Sequence, residues 1–172
     1  MRRGRSSGFT LLELTIVVFF LAVISSFALP RFADISGVEL GASTRRLSQT
    51  VRYLYEEAAL RGTVYGLVFD LENQVVKVVR IDPESGEFVE DDAMLSKPMA
   101  MPEGVRMLAV ILPSVGRIDQ GVIPVYFYPE GFVDRAWIQI ADQRDRAYTL
   151  VVDPLRGRAE VADGLVGPGG SA

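Results

Sequence analysis

Phe9 to Leu29 reads FTLLELTIVVFFLAVISSFAL, 21 residues with a single charge, Glu13. At about 1.5 Å of rise per residue, a helix of this length is roughly 30 Å long, the thickness of a bilayer's hydrocarbon core. No soluble fold readily hides a rod that is apolar on every side. The charge is the anomaly. A carboxylate at the centre of a membrane helix costs about 2.5–3.5 kcal/mol on insertion scales, so it marks a functional site. Arg2, Arg3 and Arg5 precede the run. The excess of positive charge on that flank places the N-terminus in the cytoplasm and everything beyond Leu29 across the membrane. Two ordinary explanations compete: a secretory signal cut near Ser25, Ser26 and Ala28, or an uncut anchor with Glu13 snorkelling to the interface. The apolar run is long for a secretory signal. Neither explanation accounts for Gly8, Phe9, Glu13 and the basic stub together.

Composition narrows the chemistry. The 172 residues contain no cysteine and no histidine. Disulfides, thiolate nucleophiles, His-based serine triads and His-ligated zinc are excluded. The net charge is −4, and it becomes −7 if Arg2, Arg3 and Arg5 are lost with the first eight residues. An acidic chain argues against nucleic acid as a partner. About 140 residues remain beyond the apolar run, enough for one domain with its own core.

Pro30, Gly37 and Gly41 weaken the helix beyond the apolar run without necessarily ending it. Leu40, Leu47, Val51, Leu54, Tyr55 and Ala58 then recur at helical spacing, an amphipathic face running to about Arg61 and stopped by Gly62. The first third of the chain is therefore expected to be one long helix with a soft joint. After Gly62 the period changes to two. Residues 63–70 and 74–81 read as a hairpin, with further strands at 88–90, 105–112, 122–128, 136–141, 147–152 and 158–161. Residues 91–104 and 113–121 read as connections, and 164–172 as a flexible, glycine-rich tail. The expected class is α+β, with the amphipathic helix covering one face of an antiparallel sheet.

The run Gly8-Phe9-Thr10-Leu11-Leu12-Glu13 resembles the processing site of type IV prepilins. The resemblance implies a leader at 1–8, cleavage between Gly8 and Phe9 by a prepilin peptidase, and N-methylation of Phe9 by its methyltransferase activity. Residues 9–29 become the transmembrane and filament-core helix, and 30–163 a periplasmic domain. Glu13 becomes an assembly residue that neutralises the Phe9 amine of a neighbouring subunit. A second resemblance covers much of the domain. Residues 125–131 (VYFYPEG), 148–154 (YTLVVDP) and Gly157-Arg158 are similar to the H-type minor pseudopilins of type II secretion (GspH-like). So are Arg46-Leu47, Glu57-Ala58-Ala59 and Arg61-Gly62 in the helix.

This family implies a structural subunit, not an enzyme, at or near the tip of a periplasmic pseudopilus that drives export of folded proteins. Its expected partners are other major and minor pseudopilins, the processing peptidase and inner-membrane lipid. The same domain occurs in FimT-like minor pilins of type IV pili, some of which bind DNA through basic residues near the C-terminus. The local cations, Arg144, Arg146, Arg156 and Arg158, are interleaved with Asp142, Asp145 and Asp153, so no nucleic-acid partner is expected. The pairs Glu130/Asp134 and Asp91/Asp92 read as solvated turn acids. Asp142, Asp145, Asp153 and Asp163 lack the dense oxygen-ligand spacing of a calcium loop, so neither metal nor cofactor is expected.

Overall fold

The computed structural model describes the backbone at residues 11–32, 35–82, 84–90 and 97–171, and the side chains of most of these. The chain divides into two compact units, residues 1–35 and 36–172.

The first unit holds helix α1, Leu11–Phe32. Pro30 lies inside it rather than ending it. Every described side chain from Leu11 to Ser25 is exposed. Helix resumes as α2, Ile35–Arg61, with Gly37 and Gly41 inside it. The expected single long helix is thus described as two. Residues 33 and 34 between them lie outside the described residues, as does the start of the expected span at Phe9. Among the described residues, no helix is long and apolar enough to cross a membrane.

The second unit is α2 followed only by strands, all paired antiparallel. These are β1 (Tyr65–Asp70), β2 (Val75–Ile81), β3 (Phe88–Glu90), β4 (Met99–Ala100), β5 (Val105–Leu112), β6 (Gly116–Ile118) and β7 (Val122–Tyr128). The remainder are β8 (Phe132–Val133), β9 (Ala136–Asp142), β10 (Ala147–Asp153), β11 (Arg158–Asp163), β12 (Val166–Gly167) and β13 (Gly170–Ser171). They form two main sheets where one was expected. The first has the order β3-β2-β1-β7-β8, with β4 also on β2; the second runs β11-β10-β9-β5-β6.

The helical stripe behaves as its spacing requires. Leu47, Val51, Leu54 and Ala58 are fully buried, and with Leu40 they join one core containing Leu67, Phe69, Val125 and Phe127 of the first sheet and Ile138, Ile140, Leu150 and Val152 of the second. Alternation along β7 decides its register: Ile123, Val125 and Phe127 go inward, and Val122, Pro124, Tyr126 and Tyr128 outward. An amide stitches the two sheets together. Gln74, in the β1–β2 turn, accepts the N–H of Met107 at 2.7 Å and donates to its carbonyl at 3.2 Å. The β5–β9 register shifts just beyond, between Met107 and Ala109.

The segments read as connections hold two short strands. Met99 of β4 is buried against the core, and β6 extends the second sheet by pairing with the end of β5. The glycine-rich end is also more structured than its composition implies. Thr149 Oγ1 donates to the Gly164 carbonyl at 2.7 Å and accepts the Val166 N–H at 3.0 Å. Gln139 Nε2 donates to the Val166 carbonyl at 2.9 Å. The tail returns over β9, and all seven residues of that strand are buried. A strand covered on both faces loses the polar alternation that would announce a tail packed on it.

Candidate functional site

Gly8 and Phe9, the expected processing residues, lie outside the described residues. Glu13 lies in the first turn of α1 and is exposed. Around it Leu11, Leu12, Leu14, Val18, Phe19 and Phe20 are exposed as well. A contiguous apolar surface of this kind is suited to lipid or to other apolar helices. Its one acidic group makes any such packing selective, because a buried unpaired carboxylate is costly.

Two turns of the second unit converge on a single side chain. The Tyr55 hydroxyl of α2 lies 2.8 Å from the Gly131 carbonyl and 2.9 Å from the Leu155 carbonyl. These carbonyls belong to the β7–β8 turn and the β10–β11 turn, one from each sheet. Gly157 completes the clamp. It has φ +58°, and a Cβ there would lie 2.0 Å from Tyr55 Cγ. Helical spacing placed Tyr55 on the apolar stripe. It did not reveal that the ring sits over Gly157 or that the hydroxyl reaches both turns.

The four arginines are not brought together. Arg144 and Arg146 precede β10, whereas Arg156 and Arg158 follow it, so the two pairs sit at opposite ends of a seven-residue strand, about 20 Å apart. Arg146 is committed to Asp142, which is fully buried, with Nε 2.7 Å from the carboxylate. Arg156 lies 4.0 Å from Asp153. We predict that the chain in an uncharged detergent gives no mobility shift of duplex DNA near physiological salt, because counterion release needs several unopposed cations. Micromolar binding at that salt, lost in an Arg156→Ala/Arg158→Ala variant, would contradict this.

The acidic candidates are mostly engaged in turns. Asp142 Oδ1 accepts the N–H groups of Arg144 and Arg146 at 2.8 and 3.1 Å. Burial pushes the Asp142 carboxyl up, but these N–H groups and the Arg146 guanidinium outweigh it and hold it below the usual carboxylate range. A depressed folded-state value means that Asp142 contributes stability above the ordinary carboxylate range. That contribution is lost as pH falls through the lowered value. Asp153 Oδ1 accepts the N–H groups of Leu155 and Arg156. Asp134 accepts the Tyr126 N–H at 3.0 Å, and Glu130 is exposed in the β7–β8 turn. Asp91 and Asp92 lie outside the described residues. Asp163 stands opposite Tyr148, at the Asp142 end of β10 and a strand's length from Asp153. Among the described residues, no three acidic side chains are grouped to hold a metal ion.

The second unit is thus an amphipathic helix packed on two antiparallel sheets. Two solved structures of the minor pseudopilin EpsH, from the type 2 secretion system of Vibrio cholerae, share this fold. One aligns over 73% of this chain and 97% of its own with a TM-score of 0.56, the other over 75% and 97% with a TM-score of 0.57, both at 18% identity. No family model and no curated protein matches the sequence.

Proposed function

We propose that this chain is a minor pseudopilin of a type II secretion system. It is a structural subunit without catalytic activity, at or near the tip of a periplasmic pseudopilus that drives export of folded proteins. The reading rests on one conjunction. The Gly8–Glu13 run heads an apolar helix, and the same chain carries a domain with the EpsH fold. Residues 9–29 then hold the precursor in the bacterial inner membrane, N-terminus inward and domain in the periplasm.

Processing creates a new amine on Phe9, four residues from Glu13. In a filament, the carboxylate of one subunit meets the amine of the next. Each charge removes much of the other's desolvation cost, and only one helix offset satisfies both. The pair therefore sets register between subunits. Other pseudopilins, the processing peptidase with its methyltransferase activity, and membrane lipid are the partners this requires.

The intact mass of the protein purified from cells is expected to fit residues 9–172 plus one methyl group. Gly8→Glu should leave the precursor uncut but still inserted, since the apolar run is unchanged. A mature chain beginning at Met1, or after Ala28, would contradict this assignment.

A further inference from the structure

The outer face of the β3-β2-β1-β7-β8 sheet carries a row of aromatic rings that stay partly or largely exposed among the described residues. Phe88 and Tyr126 lie nearly parallel with centroids 6.2 Å apart, Tyr126 and Tyr128 are 6.4 Å apart, and Tyr128 stacks on Phe132 at 4.4 Å. Phe88 is 55% exposed and Phe132 40%. The row is not displaced core, because inward residues of the same sheet, Leu67, Phe69, Val125 and Phe127, already fill it. The backbone makes room for the row. Gly66 stands opposite Tyr126 on β1, and a Cβ there would lie 2.9 Å from Val79 Cγ2 and 3.7 Å from the Tyr126 ring.

The charges nearest the Tyr126–Phe132 end of the row are acidic. Asp134 is tied to the Tyr126 N–H, and Glu130 lies in the turn that links Tyr128 to Phe132. Burial, and then the Asp134 charge, push both tyrosine hydroxyls up; at Tyr128 a hydrogen bond with Asp134 and the Glu130 charge add to the effect. Lys77 lies further along the same face, across Val68 from Pro124, and helps to hold the Asp70 carboxyl down. Exposed aromatic faces beside carboxylates suit a guanidinium or ammonium, which gains cation–π attraction and an ion pair at once. We propose that this aromatic face, from Phe88 across Tyr126 and Tyr128 to Phe132, is a docking surface for an arginine- or lysine-bearing segment of a partner protein. Asp134 and Glu130 select its charge.

The test uses the full-length chain in micelles of an uncharged detergent, titrated against a fluorescein-labelled Arg-Leu-Arg-Leu-Arg peptide by anisotropy. The matched Glu-Leu-Glu-Leu-Glu peptide and a chitin oligosaccharide serve as competing occupants. The basic peptide is expected to bind and to weaken as salt is raised. Glu130→Gln/Asp134→Asn should weaken it at least five-fold, because the amide keeps the acceptor for the Tyr126 N–H and loses only the charge. Phe88→Ala, an exposed site on an edge strand, should weaken it as much, with the melting temperature unchanged in both variants. No binding of the basic peptide, equal binding of the acidic one, preference for the oligosaccharide, or indifference to both variants would each overturn the proposal.

Discussion

Val51→Asp is expected to abolish cooperative folding of the domain. Val51 is fully buried at the centre of the α2 stripe, where the core holds no cation to pair with a new carboxylate. An unpaired buried charge costs about 3–5 kcal/mol or more. That is a large share of the roughly 5–15 kcal/mol that holds a domain together. Leu47→Asp should behave alike. The check is a thermal melt followed by circular dichroism in an uncharged detergent, where the transition should vanish or fall by roughly 10 °C or more. Arg52→Ala, one residue along but exposed and paired with Glu56 at 2.9 Å, should melt within a few degrees of wild type. A Val51→Asp protein that melts like wild type would remove the helix-on-sheet account of the core.

Gly157→Ala should be nearly as damaging, for a different reason. The methyl would overlap the Tyr55 ring at 2.0 Å on a residue whose φ is +58°. The strained dihedral alone costs about 1 kcal/mol or more. Displacing the ring adds an overpacking cost of about 1–3 kcal/mol and breaks the hydroxyl's hold on both turns. Tyr55→Phe, which removes only the hydroxyl, should cost about 1 kcal/mol. The diagnostic is the double variant. With the ring gone in Tyr55→Ala, the added cost of Gly157→Ala should shrink to the dihedral term, so the two changes are far from additive. Strict additivity in denaturant melts would mean that the ring does not clamp the turns.

Much of this architecture is legible in the chain because it is periodic or punctuated. The spacing Leu47, Val51, Leu54, Ala58 specifies a helix face, and those four are fully buried. Strand 105–112 agrees to the residue, and the 63–81 hairpin to within two residues, because apolar runs end at Asp, Asn and Gly. What escaped is non-local. The split into two sheets depends on which hairpins pair across the core, and the Gln74–Met107 bridge joins positions 33 apart. Met99 looked like part of a loop because a two-residue strand has no period to detect. The tail looked loose because its hydrogen bonds come from Thr149 and Gln139, residues that local pattern cannot connect to it.

The functional residues divide the same way. Gly8, Phe9 and Glu13 are legible as a local motif, of which Gly8 and Phe9 lie outside the described residues. The four arginines look like a cluster only along the chain. Folding places them at opposite ends of β10, because successive turns of an antiparallel sheet lie at opposite ends of its strands. Tyr55 and the aromatic row emerge only in three dimensions.

The pseudopilin account is tested most directly by deleting this gene and restoring it as wild type or as Glu13→Val, while measuring secreted enzyme activity in the medium, surface piliation and DNA uptake in the same strains. The deletion should trap folded substrates in the periplasm and leave piliation and DNA uptake intact. Wild type should restore secretion. Glu13→Val should be processed and inserted, since it removes only a charge that membranes disfavour, yet fail to restore export or to crosslink to neighbouring pseudopilins. Normal secretion in the deletion strain with loss of pili or DNA uptake would assign the chain to a type IV pilus instead. Full rescue by Glu13→Val would contradict the charge-pairing mechanism itself.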